Sequence, residues 1–103
     1  MASLPWQGVF PAVTPQFRKD LSLDLDATSR HWEALIASGV SGLIVAGSLG
    51  ENQTLDPAEK RTLVAEAVKV AAGRLPVLSG VAETSTAAAC QYVRDCEKLG
   101  ANG

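Results

Sequence analysis

The chain has 103 residues, 47% of them hydrophobic and 19% charged, with a formal charge of -2 at pH 7 and a pI near 5.2. That is the composition of one ordinary globular domain and excludes a disordered, collagen-like or coiled-coil chain. Charges of both signs are interspersed without a basic block, so neither nucleic acid nor an anionic membrane is an expected partner.

The first apolar run, Val9-Phe10-Pro11-Ala12-Val13, closes at Thr14-Pro15 and is predicted to be a strand. Pro11 and Pro15 lack amide donors, so this strand must tolerate gaps in its ladder. A polar loop, Gln16 to Ser22, follows. The first helix is expected to start at Asp24 or Asp26, either of which can cap free amides. Leu25, Trp32, Leu35 and Ile36 then fall on one helical face, and Gly39 supplies a left-handed stop. Gly42-Leu43-Ile44-Val45-Ala46 is continuously apolar, as a strand covered on both faces is.

The second helix carries the clearest start signal. Asp56-Pro57-Ala58-Glu59 places a cap, a first-turn proline and a carboxylate at the third position. Leu63, Val64, Ala67, Val68 and Ala71 form its predicted buried stripe, and Gly73 its stop. Leu75 to Ser79 reads as the third strand, and Gly80 to Thr86 as the loop after it. The third helix is expected to start near Thr84 or Ser85, to present Ala89, Tyr92, Val93, Cys96 and Leu99 on one face, and to end at Gly100. Ala101-Asn102-Gly103 reads as the approach to another strand.

The predicted order is therefore β-α-β-α-β-α, with units of about 34 residues, the size of one βα unit. Right-handed crossovers between parallel strands are the common way to join such elements, which makes this an α/β chain with a parallel sheet. The pattern admits two architectures. One is a self-contained three-strand α/β module of flavodoxin type, a binding or assembly domain without catalysis whose edges a partner or dimerisation must cover. The other is the opening segment of a longer barrel.

No apolar run reaches the ~18 residues of a bilayer span. Met1 to Trp6 shows neither the basic start nor the apolar core of a secretory signal. Cys90 and Cys96 lie six apart, about 240° around a helix, too divergent to pair, and are expected as two buried or half-buried thiols of a cytoplasmic protein. His31 is the only histidine, expected at a surface or half-buried helix position, so neither a metal nor another cofactor is indicated.

Parallel α/β folds place their chemistry at the carboxyl ends of the strands. Three loops qualify: Thr14 onward, Gly47 to Leu55, and Gly80 to Thr86. The middle one begins Gly47-Ser48-Leu49-Gly50-Glu51-Asn52, a glycine-bounded turn with a hydroxyl inside it. Backbone amides and a hydroxyl in such a turn can replace the hydration that a small carboxylate loses. Glu51 is expected to hold the loop together, with Asn52, Gln53 and Thr54 as polar loop residues leading into Asp56.

Phe10-Pro11-Ala12-Val13-Thr14-Pro15, Ala37-Ser38-Gly39-Val40-Ser41-Gly42 and Gly47-Ser48-Leu49-Gly50-Glu51 resemble, in order and spacing, the dihydrodipicolinate synthase and N-acetylneuraminate lyase family. Leu55, Glu59-Lys60-Arg61, Gly73-Arg74-Leu75-Pro76-Val77 and Gly100-Ala101-Asn102-Gly103 continue the match over essentially the whole chain. The resemblance implies that residues 1–103 are a partial (β/α)8 barrel domain, the N-terminal portion of about three βα units. It implies a class I lyase that acts on pyruvate or a related small 2-oxo acid, by aldol addition or cleavage or by dehydration or deamination, through a Schiff base to a lysine on a later strand, with a tyrosine assisting proton transfer, and a homotetramer at full length. Ser48 then takes the place of the hydroxyl that joins the proton relay and touches the substrate carboxylate. Leu49 takes the place whose backbone amide binds that carboxylate. Thr14 is assigned to the floor of the site or to a structural role at a strand end.

Several residues depart from the family pattern. Many relatives carry threonine where Leu49 stands, so the amide is kept and a hydroxyl lost. Pro57 and Lys60 occupy the positions of effector-binding histidines in lysine-sensing synthases, and Thr84 replaces an asparagine, so lysine feedback is not implied. Lys19, Lys60, Lys69 and Lys98 fall in a loop or on helices, and Tyr92 falls on the third helix, expected to pack against the sheet. None matches the Schiff-base lysine or the catalytic tyrosine, and the 103-residue chain is expected to be inactive alone.

Overall fold

In the computed structural model, which describes residues 6–103, two short parallel strands run side by side: β1 (Leu43–Val45) and β2 (Val77–Ser79), in register Leu43 to Val77. Three helices accompany them: α1 (Leu25–Ala37), α2 (Pro57–Ala71) and α3 (Thr86–Leu99). On its outer side β2 accepts from the Asn102 amide through Val77 O (2.8 Å) and donates from Ser79 N to Gly103 O (2.9 Å). The chain thus lies along β2 again after α3, where the sequence anticipates a further strand.

The predicted first strand is not a regular one. Residues 9–13 run beside β1 but form a single parallel bridge, Ala12 to Ile44. Ile44 N donates to Pro11 O (3.1 Å) and Val13 N to Ile44 O (3.0 Å). In that register the next donors in either direction belong to residues 11 and 15. Both are proline and have no N–H, so the ladder stops after one repeat each way.

Helix starts follow the predicted chemistry. The Asp24 side chain accepts from Ala27 N (3.0 Å) at the start of α1. At α2 the Asp56 carboxylate accepts from Glu59 N (2.8 Å) while Glu59 accepts from Asp56 N (3.0 Å), a reciprocal capping box. Ser85 caps α3 through Ala88 N (3.1 Å). At the other ends, Ser38 closes α1 just before the left-handed Gly39, Ala72 rather than Gly73 is the C-cap of α2, and Gly100 closes α3 as expected.

Helix α2 touches both strands and both other helices. Its inner face (Leu63, Val64, Ala67, Ala71) meets Val13, Trp32, Leu43, Val45, Val77 and Tyr92 in one buried cluster. Of the α1 stripe, Trp32 is fully buried while Leu25, Leu35 and Ile36 are half-buried against that cluster. The Ser29 hydroxyl donates to Glu66 (2.6 Å) between α1 and α2, and Arg61 donates to Asp95 (2.8 Å) between α2 and α3. Hydrogen bonds from Arg61 and then Gln91 hold the Asp95 carboxyl below the usual range.

Some placements differ from the sequence pattern. Val93 is 51% exposed rather than on the buried face of α3, and Cys90 is exposed while Cys96 is buried. Val93 directly follows buried Tyr92 on a helix that only one side covers, so the shared stripe is too wide for the surface available. Val68 is half-buried, and Lys60, not expected inside, is 6% exposed. His31 is exposed on α1.

Candidate active site

The three candidate loops meet at the carboxyl ends of residues 9–13, β1 and β2. Two glycines make the approach possible. A Cβ on Gly50 would stand 2.8 Å from the carbonyl oxygen of Val13, and one on Gly80 would stand 2.6 Å from that of Ala46. Backbone thus packs on backbone across all three strand ends, and Thr14 and the Ser48-Leu49 turn occupy adjacent ones.

The middle loop is two short 3-10 turns, Ser48–Gly50 and Asn52–Thr54, joined at Glu51 in the left-handed conformation (φ 62°). Gly47 O accepts from both Gly50 N (3.0 Å) and Asn52 N (3.2 Å). Among the described residues the amides of Ser48 and Leu49 have no backbone acceptor, and both residues are exposed. These are the groups a small carboxylate needs: two free amides and a hydroxyl on a short, fixed turn.

The loop is tied down by Asn52, not by Glu51. Asn52 is 2% exposed, and its side-chain amide donates to Ala46 O (2.6 Å). Glu51 supplies its carbonyl to Thr54 N and Thr54 Oγ1. Polar residues in a loop carry no periodicity, so the sequence offered no signal separating buried Asn52 from exposed Gln53.

Thr14 is half-buried, and its carbonyl accepts from Trp32 Nε1 (3.1 Å). A core tryptophan on α1 therefore fixes the end of the first strand segment. At the end of β2, Ser79 Oγ lies 2.7 Å from the Tyr92 hydroxyl and 3.0 Å from Gly80 O. Gly80 O can only accept, so Ser79 donates to it and Tyr92 donates to Ser79. Burial, opposed by the Ser79 hydrogen bond, pushes the Tyr92 phenol up to about 12. Tyr92 is a buried structural donor packed against the sheet, as its helix position suggested.

Lys60 Nζ lies 3.4 Å from Glu83 Oε1, with both side chains largely buried, and so links α2 to the third loop. Lys19, Lys69 and Lys98 are exposed, and no lysine stands on a strand. Two concavities, of about 370 and 310 Å3, lie away from Ser48. The first is at the amino ends of the strands beside Leu75 and Pro76, the second along the outer side of β2 beside Val81 and Val93. At the candidate site itself, Ser48 and Leu49 are exposed. Among the described residues, no three His, Cys, Asp or Glu side chains gather in a way that could hold a metal ion, and no helix is long and apolar enough to cross a membrane.

Comparison with known proteins identifies the family. The model of the dihydrodipicolinate synthetase family matches residues 5–103. The chain is 40% identical over 97 residues to the 4-hydroxy-tetrahydrodipicolinate synthase of Ruegeria pomeroyi, covering 94% of this chain and 33% of that protein. It is 38% identical over 104 residues to the enzyme of that name from Sorangium cellulosum, covering 100% of this chain and 35% of that protein. Among solved structures, the Thermotoga maritima dihydrodipicolinate synthase matches with a TM-score of 0.89 at 34% identity, over 97% of this chain and 34% of that one. A prophage protein of the dihydrodipicolinic acid synthase family from E. coli K12, solved in complex with pyruvate, matches with a TM-score of 0.90 at 31% identity, over 95% and 33%. The chain spans about a third of the length of the relatives it matches.

Proposed function

The chain belongs to the dihydrodipicolinate synthetase family, and from that premise we propose that it forms the first three βα units of a (β/α)8 barrel lyase acting on pyruvate or a related 2-oxo acid. Family membership favours this reading over the flavodoxin-like alternative. The single observation that supports the reading best is the Ser48-Leu49 turn, with its free amides and exposed hydroxyl, set rigidly at the carboxyl end of β1. The active sites of barrel enzymes lie at that end.

In this reading the Leu49 amide holds the substrate carboxylate. Ser48 contributes its hydroxyl to the carboxylate and to proton relay, and Thr14 closes the floor of the site. A lysine beyond this segment attacks the 2-oxo carbon and expels water, giving an imine. Loss of a C3 proton then leaves an enamine whose electron pair forms a carbon–carbon bond to an aldehyde carbon, while the aldehyde oxygen takes up a proton. Water releases the product from the lysine, and cleavage runs the same steps backward. Such chemistry needs an amine nucleophile, a proton shuttle and a carboxylate anchor, of which this segment supplies the anchor and part of the shuttle. We place the assembled enzyme in the cytoplasm as a homotetramer, with no cofactor required. The 103-residue chain by itself is inactive, because its lysines lie outside the site.

A chimera tests this reading. Residues 6–103 replace the matching third of the Thermotoga maritima enzyme, and turnover of pyruvate with its aldehyde partner is measured. A folded chimera is expected to turn over, and Ser48→Ala to lower kcat by about 100-fold, the scale of a lost proton-transfer group. Unchanged kcat in Ser48→Ala removes Ser48 from the relay.

A further inference from the structure

The carboxylate-anchoring role uses only the backbone of Leu49. Its side chain is 80% exposed, one of the two most exposed large hydrophobic residues among those described. The other, Leu21, belongs to the polar loop before α1. Gly50, next to it, is buried with its backbone against Val13 O, and Asn52 pins the loop to Ala46 O. The turn is thus held from below, and the isobutyl group is exposed at the carboxyl end of β1.

An apolar group held in such a place acts on a substrate in one way. It gains contact and desolvation with an apolar substituent, and it leaves a hydroxyl that approaches it without a partner. Ser48 beside it is the only side-chain hydroxyl inside the turn, and the reading above already commits that group to the carboxylate and the relay.

On this basis, and resting on the 2-oxo acid reading, we infer that Leu49 is a specificity-determining residue that selects an aldehyde partner carrying an apolar, alkyl or aryl substituent over a hydroxylated one.

The test uses the same chimera, with pyruvate as the 2-oxo acid and benzaldehyde or glyceraldehyde as partner. The ratio of kcat/KM for benzaldehyde to that for glyceraldehyde is expected to fall by about tenfold or more in Leu49→Thr, the scale of lost apolar contact in a specificity site. In a second arm, leucine is placed at the aligned position of the otherwise unmodified Thermotoga enzyme, where the ratio is expected to rise. This arm decides the matter if the chimera does not fold. Borohydride trapping with pyruvate separates the two levels. A folded chimera that traps no pyruvate overturns the 2-oxo acid reading itself. Trapping with a ratio unmoved by Leu49→Thr, or by leucine in the Thermotoga enzyme, overturns the specificity role alone.

Discussion

The side-chain amide of Asn52 donates to the carbonyl oxygen of Ala46 at 2.6 Å, and Ala46 is where β1 turns into the left-handed region (φ 55°). In the register of the Ala12–Ile44 bridge, the next donor to that carbonyl would be the amide of residue 15, which is proline. Asn52 therefore supplies the hydrogen bond that Pro15 cannot, and in doing so sets the height of the Ser48-Leu49 turn above the strand. Asn52→Ala leaves a buried carbonyl without a partner and is expected to cost about 1–3 kcal/mol of stability. Denaturant unfolding of the chimera measures it. KM for pyruvate should rise in the same variant, since the carboxylate anchor loses its support.

Gly47 and Gly50 bound the same turn but differ in what surrounds them. A Cβ at Gly50 meets Val13 O at 2.8 Å, and that atom belongs to backbone that the β1 bridge holds in place. At Gly47 the nearest contact is 4.0 Å away, and its φ of -78° suits any residue. Gly50→Ala is expected to destabilise by about 1–3 kcal/mol through overpacking. Gly47→Ala is expected to be neutral or to stabilise by about 0.4–1 kcal/mol by restricting the unfolded chain. Paired unfolding curves check both.

The Lys60–Glu83 pair is largely buried, so its two members should not be separable at low cost. Glu83→Ala leaves an uncompensated ammonium on α2 and is expected to destabilise by about 3 kcal/mol. The double substitution Lys60→Met with Glu83→Leu, which removes both charges, is expected to cost clearly less. A double-mutant cycle measured by urea unfolding reads the difference.

Tyr92 makes stability depend on alkaline pH. Its phenol is raised to about 12 in the folded chain, against about 10 unfolded, mainly by burial. Below pH 10 both states hold the proton and the contribution is complete. Between pH 10 and about 12 the unfolded state releases the proton first, so stability falls as pH rises, by an amount on the order of 2 kcal/mol. Tyr92→Phe is expected to flatten this part of the stability–pH curve while losing the bond to Ser79.

Much of this architecture was legible because it rests on local chemistry. Asp24, Asp56 and Ser85 cap the helices they were expected to cap, and Leu43–Val45 and Val77–Ser79 lie within the predicted apolar runs. The first strand was legible as a segment but not as a single bridge, although Pro11 and Pro15 already held the reason. The turn at Ser48 and Leu49 was legible as a motif. What holds it was not, because the burial of Asn52, Lys60 and the Tyr92 hydroxyl depends on which loops meet in space. Hydrophobic periodicity says nothing about a polar side chain that finds a distant carbonyl or carboxylate. The exposure of Val93 escaped for the converse reason, since periodicity marks a face without telling how much of it is covered.

The central proposal is that this segment carries the carboxylate anchor of a Schiff-base lyase whose lysine lies outside it. Peptide mass mapping of the chimera after borohydride treatment with pyruvate tests that most directly. The account predicts a single reduced adduct on a lysine outside residues 6–103, and no adduct on the 103-residue chain treated alone. An adduct on Lys19, Lys60, Lys69 or Lys98, or none at all in a folded chimera, would contradict it.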